Sequence, residues 1–381
     1  MSWYTSTLDQ LGEVSRGRSR HRPRDAEFLY GGPYPFVQTG DVKAAPLYLS
    51  EYTQTYSEEG LKQSKLWPKG TLCITIAANI AETSILDMDA CFPDSIIGFV
   101  ADPEKAATKF VKYQFDALLR SKMKKVSQGA AQDNLSHAKL LTFEFPTPDL
   151  HTQKRIAGIL SAYDDLIENN RRRIALLEEA ARLIYREWFV HFRFPNHENT
   201  NFENGLPVGW GQRTVASLLT KLKAKPKIRK DAYLENGTFP CVDQGQSFIG
   251  GFTNDKQAIY SDALPLIVFG DHTRALKFID FSFARGADGT QLLLSNNERL
   301  SQECFYLALR EIDLSNYFYA RHFKFLKEQE IVLPSQKVGE QFTRLVEPTF
   351  EQMSKLRGQN QALTKARDLL LPRLMDGRIA V

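Results

Sequence analysis

The chain has 381 residues, 43% of them hydrophobic and 25% charged, and its 49 lysines and arginines against 45 aspartates and glutamates give a net charge of +4. At about 150 residues per domain this length predicts two or three globular domains, and the apolar fraction argues against disorder. No apolar run is long enough to cross a membrane, and the first residues lack the pattern of a secretory signal. The four cysteines are far apart, which excludes a disulfide framework and a CxxC zinc site and fits a reducing cytoplasm.

The sequence repeats itself once. Several motifs occur twice, in the same order, and the offset between the two copies falls along the chain. Ordered matches of this kind indicate two copies of one domain rather than a solenoid, whose period would be far shorter. The paired motifs are Trp3 with Trp210, residues 34–40 with 239–245, residues 143–146 with 331–334, and Leu177 with Leu363.

In chain order, the first part of each copy predicts a mixture of strands and helices. Buried strands are predicted over 71–77 and 264–269, where apolar residues run almost without interruption. A helix is predicted over 104–125 in the first copy. In the second copy, Asn297 is expected to cap a helix that continues to about Ile312.

The second part of each copy predicts a long helix. Residues 153–191 contain no proline, and apolar side chains recur there at heptad spacing, which is typical of a coiled coil. The seam of the second copy is poorer, and Pro348 and Pro372 are expected to interrupt it. Asn170 and Asn360 each lie on a seam, where an asparagine either is buried and fixes the register or lies solvated at the seam edge. The predicted seam residues are Leu160, Tyr163, Ile167, Asn170, Ile174, Leu177, Ile184 and Trp188 in the first helix, and Met353, Leu356, Asn360, Leu363 and Leu370 in the second.

The predicted fold class is therefore α+β. Two mixed α/β domains, over residues 1–148 and 198–334, are expected to be joined by two long helical regions, over 149–197 and 335–381. Because both helices belong to one chain, an antiparallel coiled coil is the natural arrangement, and the duplication predicts a pseudo-twofold relation between the copies.

Each copy carries a run of positive charge at a similar distance after its tryptophan, and neither run contains an acidic residue. A single run of this kind is usually a solvated loop. Two runs at equivalent positions favour phosphate binding, because lysine and arginine neutralise phosphates and release counterions. The predicted phosphate-binding residues are Arg16, Arg18, Arg20, Arg22 and Arg24 in the first copy, and Lys221, Lys223, Lys225, Lys227, Arg229 and Lys230 in the second.

Polar loops follow the predicted strands of both copies. Asparagine, glutamine and arginine can bond bidentately to adenine or guanine edges, which makes these loops candidates for reading bases. For any one residue the alternative is ordinary turn chemistry. The candidates are Gln38, Thr39, Asp41, Asn79, Gln132 and Asn134 in the first copy, and Asp243, Gln244, Asp271, His272 and Arg274 in the second.

No catalytic motif is present in the sequence. It lacks the P-loop GxxxxGK[ST], GxGxxG, HExxH and the Asn-Pro-Pro or Asp-Pro-Pro tetrapeptide of amino-methyltransferases. The histidines form no metal-ligand cluster, and Asp271-His272 beside Arg274 has no identifiable nucleophile. A duplicated chain without a catalytic constellation predicts a recognition protein that is no enzyme by itself and holds no metal.

Three stretches carry a resemblance to a known family. They are Q-K-R-I-A-G-I-L at 153–160, which runs into D-L-I-E-N-N at 165–170, then L-P-V-G-W at 206–210, and L-L-L-P-R-L-M-D-G at 369–377. With them, and along essentially its whole length, the sequence resembles the specificity subunits of type I restriction-modification systems.

The resemblance implies two target-recognition domains, each reading one half of a split site in double-stranded DNA, and two helical regions that set the spacing and dock two modification subunits. It implies no cofactor for this chain. The modification subunits would methylate adenine with S-adenosylmethionine, and restriction subunits, which use ATP and Mg, would join them. The implied setting is the cytoplasm of a bacterium or archaeon, in restriction and phage defence, without membrane association.

Two other hypotheses remain open at this point. A coiled-coil scaffold that binds only proteins predicts that neutralising residues 16–24 and 221–230 leaves function intact. A self-contained DNA enzyme predicts metal-dependent cleavage by the isolated chain, and the missing carboxylate motifs weigh against it.

Overall fold

The computed structural model describes residues 3–78, 80–126, 136–317 and 321–381. The chain folds into two compact units. Unit 1 comprises Met1–Asn170 with Gln359–Val381, and unit 2 comprises Arg171–Gly358. Each of the two long helices therefore contributes residues to both units. These compact units do not test the predicted domain boundaries, because those boundaries divide the mixed domains from the helical regions. The boundaries therefore stay predictions.

The strands of unit 1 are short. They are β1 (Tyr4–Ser6), β2 (Gly12–Arg16), β3 (Tyr30–Phe36), β4 (Tyr48–Leu49), β5 (Gln54–Tyr56), β6 (Leu66–Trp67), β7 (Leu72–Thr75), β8 (Thr83–Leu86), β9 (Ala90–Cys91), β10 (Ile96–Ala101) and β11 (Phe145–Thr147). The helices that begin in unit 1 are α1 (Leu8–Leu11), α2 (Thr39–Ala44), α3 (Glu58–Lys62), α4 (Thr108–Val126), α5 (His137–Leu141) and α6 (Leu150–Tyr185).

Three groups of strands build the mixed part of unit 1. One sheet has the order β2-β10-β7-β8-β4, another has the order β5-β3-β9-β6, and β1 pairs with β11. The predicted strand over 71–77 is β7, which lies between antiparallel neighbours and places Cys73 opposite Ser84 and Gly98. All four residues of β7 are buried, which explains their continuous apolar pattern.

Helix α4 packs its apolar face on the first of these sheets. Phe110, Val111, Tyr113 and Phe115 are all buried in its core. The predicted start at residue 104 is four residues early. Asp102 instead organises a separate turn, in which its carboxylate accepts the N–H of Glu104 (3.0 Å).

Unit 2 contains strands β12 (Phe202–Glu203), β13 (Leu206–Pro207), β14 (Gly211–Thr214), β15 (Phe239–Val242), β16 (Gly251–Thr253), β17 (Ile259–Tyr260), β18 (Leu266–Gly270), β19 (Leu276–Ile279), β20 (Phe283–Arg285), β21 (Thr290–Leu293) and β22 (Glu330–Leu333). Its helices are α7 (Gln302–Arg310), α8 (His322–Glu328) and α9 (Gln336–Met375), which ends in unit 1.

The sheets of unit 2 repeat those of unit 1, which confirms the duplication. The order β16-β15-β20-β17 matches β5-β3-β9-β6, and in both sheets the central pair is parallel. The order β19-β18-β21 matches β8-β7-β10, and β14-β22 matches β1-β11. The motifs that recur in the sequence lie on equivalent strands, since residues 34–37 lie in or next to β3 and residues 239–242 form β15.

The cap predicted for the second-copy helix is wrong. Helix α7 begins at Gln302, and the hydroxyl of Ser301 accepts the N–H of Cys304 (3.2 Å) as its N-cap. The side chain of Asn297 instead accepts the N–H of Arg299 (3.0 Å) in the preceding turn. Both residues have the chemistry of a cap, so the sequence alone did not separate them.

The long helices α6 and α9 run antiparallel within unit 1. Asn170 of α6 contacts Asn360 of α9, whereas Asp164, one and a half turns earlier on α6, contacts Arg367, further along α9. Leu160 and Ile167 of the predicted seam are buried here.

Within unit 2, the end of α6 packs on the beginning of α9. Ring centroids of Tyr185, Trp188 and Phe189 lie 6.0, 5.5 and 4.7 Å from that of Phe342. The last residues of this stretch, Arg186–Val190, form a π-helical turn.

The expected interruption at the two prolines of α9 does not occur, because the helix runs unbroken from Gln336 to Met375. Pro348 and Pro372 are both exposed. Each proline removes one helical N–H bond. Val346 and Phe350, which lie two residues to either side of Pro348, are buried and hold that part of the helix in place.

No helix in the described part of the chain combines the length and the apolar character that a membrane span needs.

Candidate nucleic-acid interface

The basic segment of unit 1 follows β2 and is fixed by its backbone. The N–H groups of Gly17 and Arg18 donate to carbonyls of the β9–β10 region (both 2.9 Å). The side-chain oxygen of Gln63 accepts the N–H groups of both Arg20 (2.5 Å) and His21 (3.0 Å). The fold therefore sets the path of the backbone and leaves the arginine side chains outside.

The five arginines of this segment are exposed but differ in their partners. Arg24 donates to both carboxylate oxygens of Asp94 (3.0 Å each). Arg22 donates to the carbonyls of Ser19 and His21 (2.7 Å each). The side chains with no hydrogen-bond or ion-pair partner among the described residues are those of Arg16, Arg18 and Arg20.

The basic segment of unit 2 is anchored by side chains that point inward. Ile228 is buried, its N–H donates to the carbonyl of Arg285 (3.0 Å), and its own carbonyl accepts the N–H of Ala287 (2.7 Å). The ammonium group of Lys225 donates to the carbonyl of Ile259 and lies 5.3 Å from the ring centroid of Tyr260. The charge of Lys225 is therefore already engaged within the protein.

The remaining cations of this segment face solvent. Arg229 lies 3.4 Å from the carboxylate of Asp231, and both side chains are so exposed that the pair contributes little. The lysines without a hydrogen-bond or ion-pair partner in the described part of the chain are Lys221, Lys223, Lys227 and Lys230. Each unit thus presents three or four free cations on a fixed backbone.

The base-reading candidates of unit 1 lie at the start of α2. Asp41 is buried, and its carboxylate accepts the N–H of Gln38 (2.8 Å), which caps the helix. The side-chain amide of Gln38 donates to Gln54 (2.5 Å). Thr39 is half-buried between them. The three other candidates of this copy, which are Asn79, Gln132 and Asn134, lie outside the described residues.

The side chains of Asp243 and Gln244 in unit 2 bond to neighbouring loop residues and do not project into solvent. The carboxylate of Asp243 accepts the N–H of Gly245 (2.8 Å) and the hydroxyl of Tyr233 (3.2 Å). Burial and the Asp243 carboxylate both raise the pKa of Tyr233. The side chain of Gln244 bridges two further loops, since it accepts the N–H of His272 (3.0 Å) and donates to the carbonyl of Asp288 (3.0 Å).

Lys277 stabilises the same loop from the protein interior. Its ammonium group is buried and donates to the carbonyls of Asp243 (2.8 Å) and Ser247 (2.5 Å). Burial lowers the pKa of Lys277, and the negative charge of Asp243 opposes that effect. The loop that carries Asp243 and Gln244 is therefore a preorganised platform.

The last three candidates follow β18. Asp271 is buried and its carboxylate accepts the N–H of Phe323 (2.9 Å), which ties this loop to α8. His272 and Arg274 are exposed. Arg274 has a positive φ of 61° and donates to the carbonyl of Leu314 (3.1 Å) at the edge of a cavity of about 440 Å³. Of the five candidates in unit 2, these two are the ones that face solvent fully.

Cys241 and the nearby Asp243 do not form a reactive pair. Burial raises the pKa of Cys241 to about 11, and the nearby Asp243 carboxylate adds to this effect, so the thiol is not a ready nucleophile. Within the described residues, no three histidine, cysteine, aspartate or glutamate side chains are grouped so that they could hold a metal ion.

The two seam asparagines meet in unit 1. The Nδ2 of Asn170 donates to the Oδ1 of Asn360 (2.9 Å), and the Nδ2 of Asn360 donates to the carbonyl of Ile167 (3.3 Å). Asn170 is 1% exposed, so the solvated alternative does not hold for it. Of the other seam residues, Tyr163, Ile174, Leu177, Ile184, Trp188, Leu363 and Leu370 are half-buried, whereas Met353 and Leu356 are buried.

A charged residue also lies on the seam, at a heptad position where an apolar side chain is usual. Arg367 pairs with Asp164, which is 4% exposed and also accepts the hydroxyl of Tyr113 (2.5 Å). Burial and the Asp164 carboxylate raise the pKa of Tyr113. This network joins α4, α6 and α9 within unit 1.

Two features of the candidate interface were not predicted from the sequence. The first is Gln63, whose role depends on a contact with residues more than 40 positions earlier. The second is Phe28, which is 56% exposed beside the basic segment of unit 1. The sequence signal for Phe28 was available, because an aromatic residue follows two acidic residues shortly after a run of arginines.

Comparisons with known proteins agree with the geometry. Residues 2–179 match the family model described as the type I restriction modification DNA specificity domain. The chain is 25% identical over 413 residues to the type I restriction enzyme MjaIX specificity subunit of Methanocaldococcus jannaschii, with 100% of this chain and 94% of that protein covered. It is 21% identical over 458 residues to the type I restriction enzyme HindI specificity subunit of Haemophilus influenzae, with 97% and 98% covered.

The fold has a counterpart among solved structures. The S subunit of a type I restriction-modification system from M. genitalium superposes with a TM-score of 0.55 at 17% identity, covering 98% of this chain and 96% of that one. At this identity the likeness shows the fold alone, and it confirms the predicted α+β class.

These matches make the chain similar, over nearly its whole length, to the specificity subunits of type I restriction-modification systems. The resemblance recognised in the sequence is thus confirmed, and residues 2–179 match the model of the DNA specificity domain of that family. The alternative of a coiled-coil scaffold without DNA specificity is not favoured.

Proposed function

We propose that this chain selects the DNA target of a type I restriction-modification complex, and that each mixed domain reads one half of a bipartite site. The observation that carries the proposal is the pair of basic segments. Each segment has a fixed backbone and directs unpaired cations into solvent, at equivalent places in two copies of one fold. Free surface cations on a rigid frame suit phosphates better than a disordered tail does, because less conformational entropy is lost on binding.

The cations fall into two groups in this proposal. The phosphate contacts are made by the free side chains, which are Arg16, Arg18 and Arg20 in unit 1 and Lys221, Lys223, Lys227 and Lys230 in unit 2. The engaged cations, Arg22, Arg24 and Lys225, are already bonded within the protein and make no phosphate contact in this proposal. Arg229, which pairs weakly with Asp231, is proposed to attract DNA through its positive charge without a defined phosphate contact.

Base reading is assigned to the loops next to these segments. His272 and Arg274 are exposed donors on a loop that Asp271 and Gln244 hold in place. Arginine bonds bidentately to guanine, so Arg274 is the first candidate in unit 2, where its guanidinium reaches bases only if it leaves the carbonyl of Leu314. In unit 1 the amide of Gln38 reaches bases only if it leaves Gln54.

The chain is proposed to act without catalysis or cofactor of its own. Two modification subunits, which use S-adenosylmethionine, and restriction subunits, which use ATP and Mg, would supply the reactions. The outer face of α6 is a suitable docking surface for the modification subunits, because it leaves large apolar side chains in solvent. They are Ile159 and Leu166 in unit 1 and Leu176 and Leu183 in unit 2. The proposed location is the reducing cytoplasm of a bacterium or archaeon.

The proposal is tested by mapping methylated adenines across the genome of a host that expresses this chain with its neighbouring methyltransferase. The wild-type chain is expected to produce one split motif. Replacing Arg16, Arg18 and Arg20 together by alanine is expected to abolish methylation at that motif. Arg24→Ala is the matched control, since that side chain is engaged by Asp94, and it is expected to leave the motif intact.

Two results would contradict the proposal. A motif that survives the triple substitution at unchanged levels would remove the basic segment from DNA binding. An assembled complex that yields no split motif at all would favour the protein-only scaffold. Thermal unfolding of each variant shows whether a loss reflects binding rather than folding.

A further inference from the structure

A single exposed aromatic residue stands at the end of the basic segment of unit 1. After Arg24, Asp25 and Ala26 the chain makes one turn of 3-10 helix, Glu27–Leu29, and the middle residue, Phe28, is 56% exposed. An isolated exposed phenylalanine is common on protein surfaces and by itself needs no explanation. Its anchoring and its neighbours make this one different.

The turn that carries Phe28 is held rigidly. Leu29 is buried in the core below, and its carbonyl accepts the N–H of Ser57 (2.8 Å). The carbonyl of Phe28 itself accepts the hydroxyl of Ser57 (2.6 Å). The phenyl ring meets the imidazole of His21 edge-on, with centroids 5.0 Å apart and an interplanar angle of 82°. The ring is therefore presented to solvent in one place, at little entropic cost to a binding partner.

The two acidic residues that precede Phe28, Asp25 and Glu27, indicate which part of a duplex it meets. Asp25 and Glu27 are exposed, and carboxylates are repelled by phosphates. In the major groove, by contrast, carboxylates accept from the amino group of cytosine, and apolar side chains contact the 5-methyl group of thymine. The two carboxylates and the phenyl ring of residues 25–28 thus fit base edges in the major groove, while the free arginines of the neighbouring segment bind phosphates.

We propose that Phe28 contacts the 5-methyl group of a thymine in the half-site that unit 1 reads, and so contributes to its specificity. The inference rests on the proposed function, because it requires the basic segment of unit 1 to bind DNA. Asp25 and Glu27 face neighbouring base edges in this arrangement, and Ser57 and His21 position the ring.

The test uses the full chain assembled with its methyltransferase subunits and a duplex that carries the split motif found by methylation mapping. Each thymine of both half-sites is replaced in turn by deoxyuridine, which lacks only the 5-methyl group, and the dissociation constant is measured at fixed salt. We expect the wild-type complex to bind about fourfold more weakly when the contacted thymine is replaced, which is the effect of losing one buried methyl-sized group. The thymine concerned lies in one half-site only.

Variants connect that effect to Phe28. Phe28→Ala and Phe28→Gln are expected to bind thymine DNA more weakly and to lose the deoxyuridine effect at that position, whereas Phe28→Leu keeps an apolar side chain and part of the effect. Phe202→Ala is the matched control, because it removes an exposed phenyl ring (49%) in unit 2 and is expected to behave as the wild type.

The inference and the proposed function fail in different ways. If the alanine and glutamine variants keep the full deoxyuridine effect at every thymine, or if the wild type shows no effect at any thymine or its half-sites contain none, the contact does not exist. In each of those cases the wild type still prefers its motif over a scrambled duplex. Loss of that preference in the wild type would instead overturn the proposed function.

Discussion

At the scale of single residues, the cations of the two basic segments are not equivalent. Arg18 and Arg24 lie six residues apart with the same side chain, yet one is free among the described residues and the other forms a bidentate pair with Asp94. A paired guanidinium adds little net positive charge at the surface. The number of phosphate contacts that we propose is therefore smaller than the number of basic residues.

This difference predicts the salt dependence of DNA binding. Arg18→Ala is expected to lower the slope of the logarithm of the association constant against the logarithm of salt concentration by about 0.9, because one phosphate contact is lost. Arg24→Ala is expected to change the slope much less. Binding titrations of the assembled complex between about 50 and about 200 mM salt measure both. Equal slopes for the two variants would contradict the division into free and engaged cations.

A second residue-scale prediction concerns a carboxyl group of α7. Burial raises the pKa of Glu303, and the charge of Glu347 adds to this, while bonds from its own backbone N–H and from Ser301 act the other way. An acid whose pKa is raised on folding costs stability when it ionises, so stability falls as pH rises from its ordinary value of 4.5 through the folded value.

Glu303→Gln is therefore expected to raise the thermal unfolding temperature at neutral pH and to give no advantage at about pH 4, where both states are protonated. Thermal unfolding of the purified chain at the two pH values measures this. Glu298→Gln changes an exposed carboxyl of the same unit and serves as the control. A destabilised Glu303→Gln variant at neutral pH would show that the bonds to the carboxylate outweigh its burial.

At the scale of elements, the helix pair is specified by polar residues as well as by its apolar seam. Leucine and isoleucine at the seam fit several registers equally well, whereas a buried amide or ion pair fits only one. In unit 1 the Asn170–Asn360 pair and the Asp164–Arg367 pair both require the same register.

The asparagine pair predicts a non-additive pattern of stability. Asn170→Ala leaves the Oδ1 of the half-buried Asn360 without that donor, and we expect a loss of about 1–3 kcal/mol in the free energy of unfolding. Replacing both asparagines by leucine removes the buried polar groups and is expected to recover the loss. Urea unfolding of the two single variants and the double variant measures the coupling. Single variants as stable as the wild type would show that the amides are solvated in solution.

The ion pair on the seam predicts a larger effect. Asp164→Ala leaves the guanidinium of Arg367, which is 16% exposed, with Asp368 as its remaining partner and removes the acceptor of the Tyr113 hydroxyl. We expect about 3–5 kcal/mol of destabilisation, as for other broken buried pairs. Glu351→Ala breaks an exposed pair with Lys355 on α9 and is expected to cost about 1 kcal/mol or less. Similar losses for both variants would contradict the buried character of the seam pair.

At the scale of the whole molecule, the proposed function gives the two helices the task of setting the distance between half-sites. The helices are long enough for this, since α6 has 36 residues and α9 has 40. A helix rises about 1.5 Å per residue, so one added heptad lengthens it by about 10 Å. That corresponds to about three base pairs of duplex at about 3.4 Å each.

Insertion of one heptad into each helix, after Asn170 and before Gln359, is expected to lengthen the spacer of the methylated motif by about three base pairs and to leave both half-sites unchanged. Methylation mapping measures the spacer and the half-sites in one experiment. Insertion into α6 alone breaks the antiparallel match and serves as the control, which is expected to lose methylation. A change in the half-site sequences themselves would show that the helices take part in reading bases.

The sequence by itself determined the duplication, the seam of α6 and the positions of the basic segments. Each of these depends on spacing along the chain: a repeated order of motifs, a heptad, a run of like charge. The strands β7 and β18 were found for the same reason, since a fully buried strand shows as a continuous apolar run. Local patterns gave the wrong prediction at Asn297, because Ser301 has the same capping chemistry. They also failed at the prolines of α9, where packing outweighed the missing N–H bonds.

Only the tertiary structure decided which polar residues remain available. Gln244 bonds to Asp288, Asp271 to Phe323, and Gln63 to Arg20, across 44, 52 and 43 residues of sequence. A side chain in such a bond looks the same in the sequence as one that faces solvent. Its partner is set by how distant segments pack, and so the free cations, the exposed ring of Phe28 and the fixed loops that are candidates for base reading emerge only when the chain is folded.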